Sequence, residues 1–504
     1  MSNGSTATVP GAVRAGHHIA GVQRESASGR TFTSHNPAHP DQIVGEFAQG
    51  DATDVQAAVD AAKVALPRWR RTPWPTRGDI ILRAAELMAE RKEELATLMT
   101  REMGKVLVEA RGDVQEAIDM GKFIAASGRR AFGETVPSEL PNKWAMTMRQ
   151  PFGVVGCITP WNFPIAIPSW KIFPAIMAGN TVVLKPAEDT PLCALRFVEI
   201  LEAAGLPRGV VNVVFGFGED AGDAVVSHPD VAAIYFTGSV ATGRIVAEKC
   251  GRLLKKVSLE LGGKNAIVVM DDADIELAVD GALWGAFGTS GQRCTASSRL
   301  IVHRSALGGF TDAFVGRARS LRLGDGLDAS VDVGPVINET QLKRIHSYSQ
   351  IGVGEGAELL LGGEIATGSG LEGGWYYPPT IFAGATPTMR IAQEEIFGPT
   401  TTIIPVDDFD SALAAANSTS FGLSLSIYTN DIRSAFTAIN ELEAGIVYVN
   451  APTIGAEIQL PFGGVKNTGN GHREAGGSVL DEFSEPKSIY IDYSGHLQRA
   501  QIDT

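Results

Sequence analysis

The chain has 504 residues, 44% of them hydrophobic and 20% charged, the balance of a globular protein with room for about three domains of ~150 residues. A formal net charge of −14 argues against nucleic acid or an anionic membrane face as partner, while an anionic small molecule stays open because a pocket can oppose the global sign. Cys157, Cys193, Cys250 and Cys294 share no paired spacing, and the nine histidines show no metal-ligand spacing apart from the adjacent His17-His18, so a reduced, cytoplasmic protein without metal is expected.

In chain order, residues 1–30 are polar and Gly/Ser-rich and read as a loosely held arm without a secretory core. A helix starts at Asp51, with Val55, Val59, Ala62 and Leu66 on one stripe, and is expected to end at Pro67. A second helix is expected from about Arg77 to Glu102. Residues 144–158 read as two strands hinged at Pro151-Phe152-Gly153. The uncharged stretch from Pro151 to Trp170 has the length of a membrane span, but its four prolines favour a buried strand and loop. Strand signals at 181–186, 210–216, 231–239 and 255–263 then alternate with helices, the mark of a parallel sheet covered on both faces. A second α/β unit is expected from Ala266 to about Ala451, and the final strand near 485–493 needs a partner in the 144–158 segment or in another subunit.

Ligands of open α/β sheets bind beyond the carboxyl ends of the strands, and six motifs in four groups stand by such strands. TPWNFP (159–164) offers Asn162, an amide in a Pro-flanked loop that can donate to an oxyanion; taken alone it is as readily an ordinary turn. In KPAE, Lys185 and Glu188 form either a surface ion pair or a ribose clamp, the carboxylate repelling a 2′-phosphate. GFGEDA (216–221) is a weak dinucleotide fingerprint because Glu219 and Asp220 would face a pyrophosphate. FTGSVATG (236–243) is better placed to bring N–H groups to phosphate. ELGGKN (260–265) supplies Glu260 as a candidate base. SGQRCTA (290–296) supplies Cys294 beside Arg293, where a cation and a helix start would lower the thiol pKa.

In this order and spacing, PWNFP, KPAE, FTGS, ELGGKN, GQRC, EEIFGP (394–399) and PFGG (461–464) resemble the aldehyde dehydrogenase superfamily over residues 25–490. The resemblance implies two Rossmann-type α/β domains plus a small oligomerisation sheet. Its divisions are an arm at 1–25, a dinucleotide-binding domain at 26–133 and 153–261, a catalytic domain at 262–465, and an oligomerisation element with tail at 134–152 and 466–504. It implies Cys294 as nucleophile, Glu260 as base and Asn162 as oxyanion donor. Thr159, Trp161, Lys185, Glu188, Gly218, Phe236, Gly238, Ser239, Leu261, Glu395 and Phe397 would hold NAD, with NADP left open. Arg293 and Phe462 would meet the substrate; Arg293 reads equally well as a structural or thiol-tuning residue.

The implied activity is oxidation of an aldehyde through a thioester in a homo-oligomer, dimer or tetramer. REMGK (101–105), GQRCTASSR (291–299) and GAEIQLPFGG (455–464) resemble members acting on carboxylated semialdehydes such as 2-oxoglutarate semialdehyde; a simple aliphatic or aromatic aldehyde is the alternative. A cofactor-free cysteine hydrolase would need a histidine base, for which His228 and His303 are the nearest candidates. The joint presence of Cys294, Glu260 and Asn162 argues against a silent homologue.

Overall fold

Five parallel strands form the first large sheet, in the order Lys256–Glu260, Val231–Thr237, Val154–Ile158, Thr181–Lys185 and Val211–Val213. The structure, a computed structural model, describes residues 12–502 except 131 and 369. The strands are almost wholly buried and rich in Val and Ile, as a sheet covered on both faces requires. Two antiparallel strands, His17–Ile19 and Val22–Arg24, complete its edge. The loose arm is therefore corrected for residues 12–24; residues 1–11 lie outside the described part. His17 and His18 look polar in the sequence but are buried, bonded to Phe215 N–H and Glu202 respectively.

A second seven-stranded sheet has the order 358–361, 380–383, 400–406, 297–303, 265–269, 424–428 and 446–449, parallel except for its first strand. A three-stranded sheet joins Thr135–Pro137, Lys143–Pro151 and Ser484–Asp492. The final strand thus finds its partner within this chain. The two strands on either side of residues 151–153 are not a hairpin, because they enter different sheets.

The first helix, Ala52–Trp69, opens on an Asp51–Asp54 capping box and runs two residues past Pro67. A proline in the last turn removes a single backbone bond, and buried Trp69, donating to Ile176 O at 3.1 Å, anchors the end. The expected second helix is broken at Arg91 into Trp74–Glu90 and Lys92–Met103. A further helix, Leu107–Ser127, is absent from the sequence reading; it buries Ala110, Val114, Ala117, Ile118, Gly121 and Ile124. Residues 166–170, expected as loop, begin a buried helix, Ala166–Ala178, with Pro168 in its first turn. Among the described residues, no helix is long and apolar enough to cross a membrane.

Candidate active site

Four neighbouring parallel strands deliver their motifs to one edge. Glu260 pairs in register with Thr237, Phe236 with Ile158, and Ile158 with Lys185. Their carboxyl ends therefore set Glu260, the Gly238-Ser239 turn, the 159–164 loop and the Lys185/Glu188 pair side by side. Ser239 caps the helix Val240–Arg252, its hydroxyl accepting from Thr242 N–H at 3.2 Å. Lys185 Nζ lies 2.8 Å from Glu188 Oε2.

Cys294 comes from the second sheet, on the loop that precedes the strand Ser297–His303. Gly291, at φ +68, passes so close to the Gly398 carbonyl that no side chain fits. Asn265 Nδ2 donates to Cys294 O at 2.7 Å, and Asn162 Nδ2 donates to Gln292 O at 3.1 Å, which brings the amide against the loop that bears Cys294. The loop 395–397 closes the other side. Gln341 donates to the carbonyls of Ile396 and Phe397, Arg344 to that of Glu395, and Phe397 stands edge-on to Trp161 at 5.4 Å.

Between these walls lies a cleft of about 270 Å³. Trp161, Asn162, Gly238, Ser239, Leu261, Cys294, Glu395 and Phe397 line it, as do Gln341 and Arg344, which the sequence reading missed. Glu188 lines a separate recess of about 170 Å³ with Phe217 and Asp189. Thr159 sits on the neighbouring strand end, its N–H donating to Lys185 O. Gly218 opens the turn Gly218–Gly222. Phe236 belongs to the core and forms the floor beneath Gly238. Phe462 packs edge-on against Trp170 at 5.1 Å, away from the cleft lining.

The electrostatics depart from the sequence expectation at Cys294. Burial, then the charges of Glu260, Glu395 and Glu116, push the Cys294 thiol up to about 12. Two presumed causes of a low pKa are missing. Cys294 leads into a strand, not a helix, and Arg293 is engaged with Thr289 Oγ1 at 2.9 Å and with Glu109 at 3.6 Å. Glu260 is buried with neither carboxylate oxygen hydrogen-bonded within the chain. Burial and the charge of Glu474 hold its carboxyl well above the usual range, against the pull of Lys171 and Arg473. Lys171 and Glu474 form a buried ion pair, a second feature the sequence did not reveal. Burial also raises the Glu395 carboxyl, although its Oε1 accepts from Gly263 N–H at 2.9 Å.

Residues 24–489 match the aldehyde dehydrogenase family. The chain belongs to that family. Its relatives include the alpha-ketoglutaric semialdehyde dehydrogenase of Bacillus subtilis, 41% identical over 94% of this chain and 97% of the relative. The 2,5-dioxopentanoate dehydrogenase of Saccharolobus solfataricus is also 41% identical, over 92% and 96%. Among solved structures, betaine aldehyde dehydrogenase from Staphylococcus aureus in complex with NAD+ superimposes with a TM-score of 0.93 at 34% identity, covering 96% of this chain and 95% of that one. In this aldehyde dehydrogenase, the histidines a cofactor-free hydrolase would need are engaged elsewhere: His228 bonds Gln56, and His303 caps the helix Arg304–Ala318.

Proposed function

We propose that this chain oxidises an aldehyde to a carboxylic acid with NAD, and that 2-oxoglutarate semialdehyde is its substrate. The observation that carries the reading is the meeting of Cys294 and Asn162 in one cleft, with Glu260 close enough for its charge to oppose ionisation of the thiol. The cleft fits a dinucleotide. Thr237 Oγ1 is buried there without a hydrogen-bond partner, and the cleft reaches Ser239 at the amino end of a 13-residue helix, where anions are favoured. Ser239, Glu395 and Phe397 would hold the cofactor at the cleft, and Lys185 with Glu188 its ribose, Glu188 favouring NAD over NADP.

The raised pKa values order the chemistry. Glu260 and Cys294 do not ionise together, so the thiol releases its proton to solvent, and the thiolate forms, at least cost while Glu260 is protonated. The thiolate attacks the aldehyde carbon, and the Asn162 amide with the Cys294 N–H stabilises the oxyanion. Bound NAD supplies the hydride acceptor that lets this adduct become a thioester. Acylation removes the charge at sulfur, so Glu260 gives up its proton to solvent more readily. It then takes a proton from the water that attacks the thioester, releasing the acid and the cysteine.

The substrate assignment rests on the two semialdehyde-oxidising relatives. One observation favours an uncharged aldehyde instead: Arg293, the candidate cation for a distal carboxylate, is engaged with Glu109. Reduced-nicotinamide absorbance across an aldehyde panel tests both readings. The semialdehyde should exceed uncharged aldehydes of equal length at least ten-fold in kcat/KM, and a smaller ratio defeats that substrate. No reduced cofactor with any aldehyde, or full turnover by Cys294→Ser, defeats the mechanism. We further infer a homo-oligomer, dimer or tetramer, because the three-stranded sheet leaves Trp144, Tyr490 and Ile491 exposed, and a cytoplasmic location, because all four cysteines are free.

A further inference from the structure

Thr289 (φ 53°, ψ 34°) and Ser290 (φ 54°, ψ 35°) stand in the left-handed region one after the other, just ahead of Cys294. Neither is glycine and Thr289 is β-branched, so the local sequence does not favour this shape and the surroundings must impose it. One restraint comes from the helix that bears Glu109. Both oxygens of Glu109 accept from Thr289 N–H, at 2.8 and 2.9 Å, and Arg293 reaches Thr289 Oγ1 and Glu109 from the other side.

Glu109 belongs to the helix Leu107–Ser127, and one turn further on that helix carries Asp113. Residues four apart share a helix face. Asp113 is buried and paired with Lys105 at 2.9 Å, and its Oδ1 accepts from Ala166 N–H at 2.8 Å. Ala166 begins the helix that directly follows the loop bearing Asn162. One carboxylate thus holds the nucleophile loop and its neighbour the oxyanion-donor loop. The helix itself is fixed at its start, Leu107 N–H donating to Gly326 O at 2.9 Å.

We propose that Glu109 and Asp113 form a two-point brace that sets the position of Cys294 relative to Asn162, with Glu109 the positioning residue for the nucleophile. Neither carboxylate exchanges a proton with substrate. Their work is to keep sulfur and amide in the geometry the oxyanion needs. The inference rests on the thioester reading above, so its test includes a readout that does not depend on aldehyde oxidation.

The experiment compares Glu109→Ala, Glu109→Gln and Glu109→Asp in the full chain, by the stopped-flow burst of reduced cofactor, aldehyde KM, NAD dissociation constant and rate of Cys294 alkylation by iodoacetamide. Glu109→Ala should slow the burst at least ten-fold, with KM and NAD affinity within two-fold, and should change the alkylation rate at least three-fold. Glu109→Gln keeps an acceptor for Thr289 N–H and should stay within three-fold of the parent. Glu109→Asp keeps the charge on a shorter arm and should lose at least five-fold, which carries the test if the alanine variant does not fold. A parent-like burst in both Ala and Asp variants overturns the brace, as does glutamine no better than alanine, or a burst that falls only in step with NAD affinity. Failure of the parent to oxidise any aldehyde strikes the function reading instead, while the alkylation rates still decide the brace.

Discussion

Replacing Lys171 by Met removes the ammonium that both balances Glu474 and draws the Glu260 proton away. Lys171 is fully buried and the Glu474 side chain is 4% exposed, so the change strands a carboxylate in the interior, at a cost of about 3–5 kcal/mol. Unfolding entropy scales with length, and for 504 residues that cost lowers Tm by only about 3–5 °C. The effect on Glu260 is more specific. A positive charge nearby in a low-dielectric interior favours the ionised carboxylate, and Lys171 is such a charge for Glu260. Losing a positive neighbour raises the Glu260 pKa further. In the proposed mechanism acylation uses protonated Glu260 and should be spared, while thioester hydrolysis should need a higher pH. Stopped-flow traces across pH separate the two: the burst should persist and the rising limb of steady turnover should move to higher pH. Adding Glu474→Gln removes the opposite charge and should return the limb most of the way. A limb in Lys171→Met that coincides with the parent's, or a double variant as displaced as the single, refutes the argument.

Asn162→Ala should slow the burst about 10²–10³-fold, with NAD affinity unchanged in a fluorescence titration, since one oxyanion donor is lost. Gly262→Ala drives a methyl into the Glu395 carboxylate, so KM for NAD should rise at least ten-fold in steady-state assays. Glu102 is fully buried and its carboxyl is pushed to about 7, mainly by burial, although Leu192 and Cys193 N–H groups donate to it. A folded pKa above the usual 4.5 means that its contribution to stability is complete below 4.5 and is lost as pH rises through 7. Urea unfolding should therefore show the parent up to about 3 kcal/mol less stable at pH 8 than at pH 4.5 from this group, a slope that Glu102→Gln should flatten.

Much of this architecture was legible because a parallel sheet concentrates its chemistry in short segments. Glu260, Ser239, Asn162 and Lys185 each sit within a few residues of a strand end, and buried Val/Ile runs announce those strands. The helix Leu107–Ser127 was harder to see. Its buried face interleaves Val114, Ile118 and Ile124 with Ala110, Ala117 and Gly121, and Asp113 on that face reads as a solvated position until Lys105 is brought to it. The strands at 13–15, 17–19 and 22–24 are too short for a period to register, and buried His17 and His18 disguise the second of them.

The charges fared worst, for a reason that reaches beyond this site. Reading Arg293 as the neighbour of Cys294 treats adjacency in sequence as adjacency in field, yet Arg293 is turned toward Glu109, 184 positions away. The groups that raise the thiol lie at 260, 395 and 116, and those that govern Glu260 lie at 474, 171 and 473. Residue types in short motifs announce which atoms can react. The order in which those atoms gain and lose protons is set by charges the fold assembles from both ends of the chain, in a low-dielectric interior where each of them counts for more than it would in water.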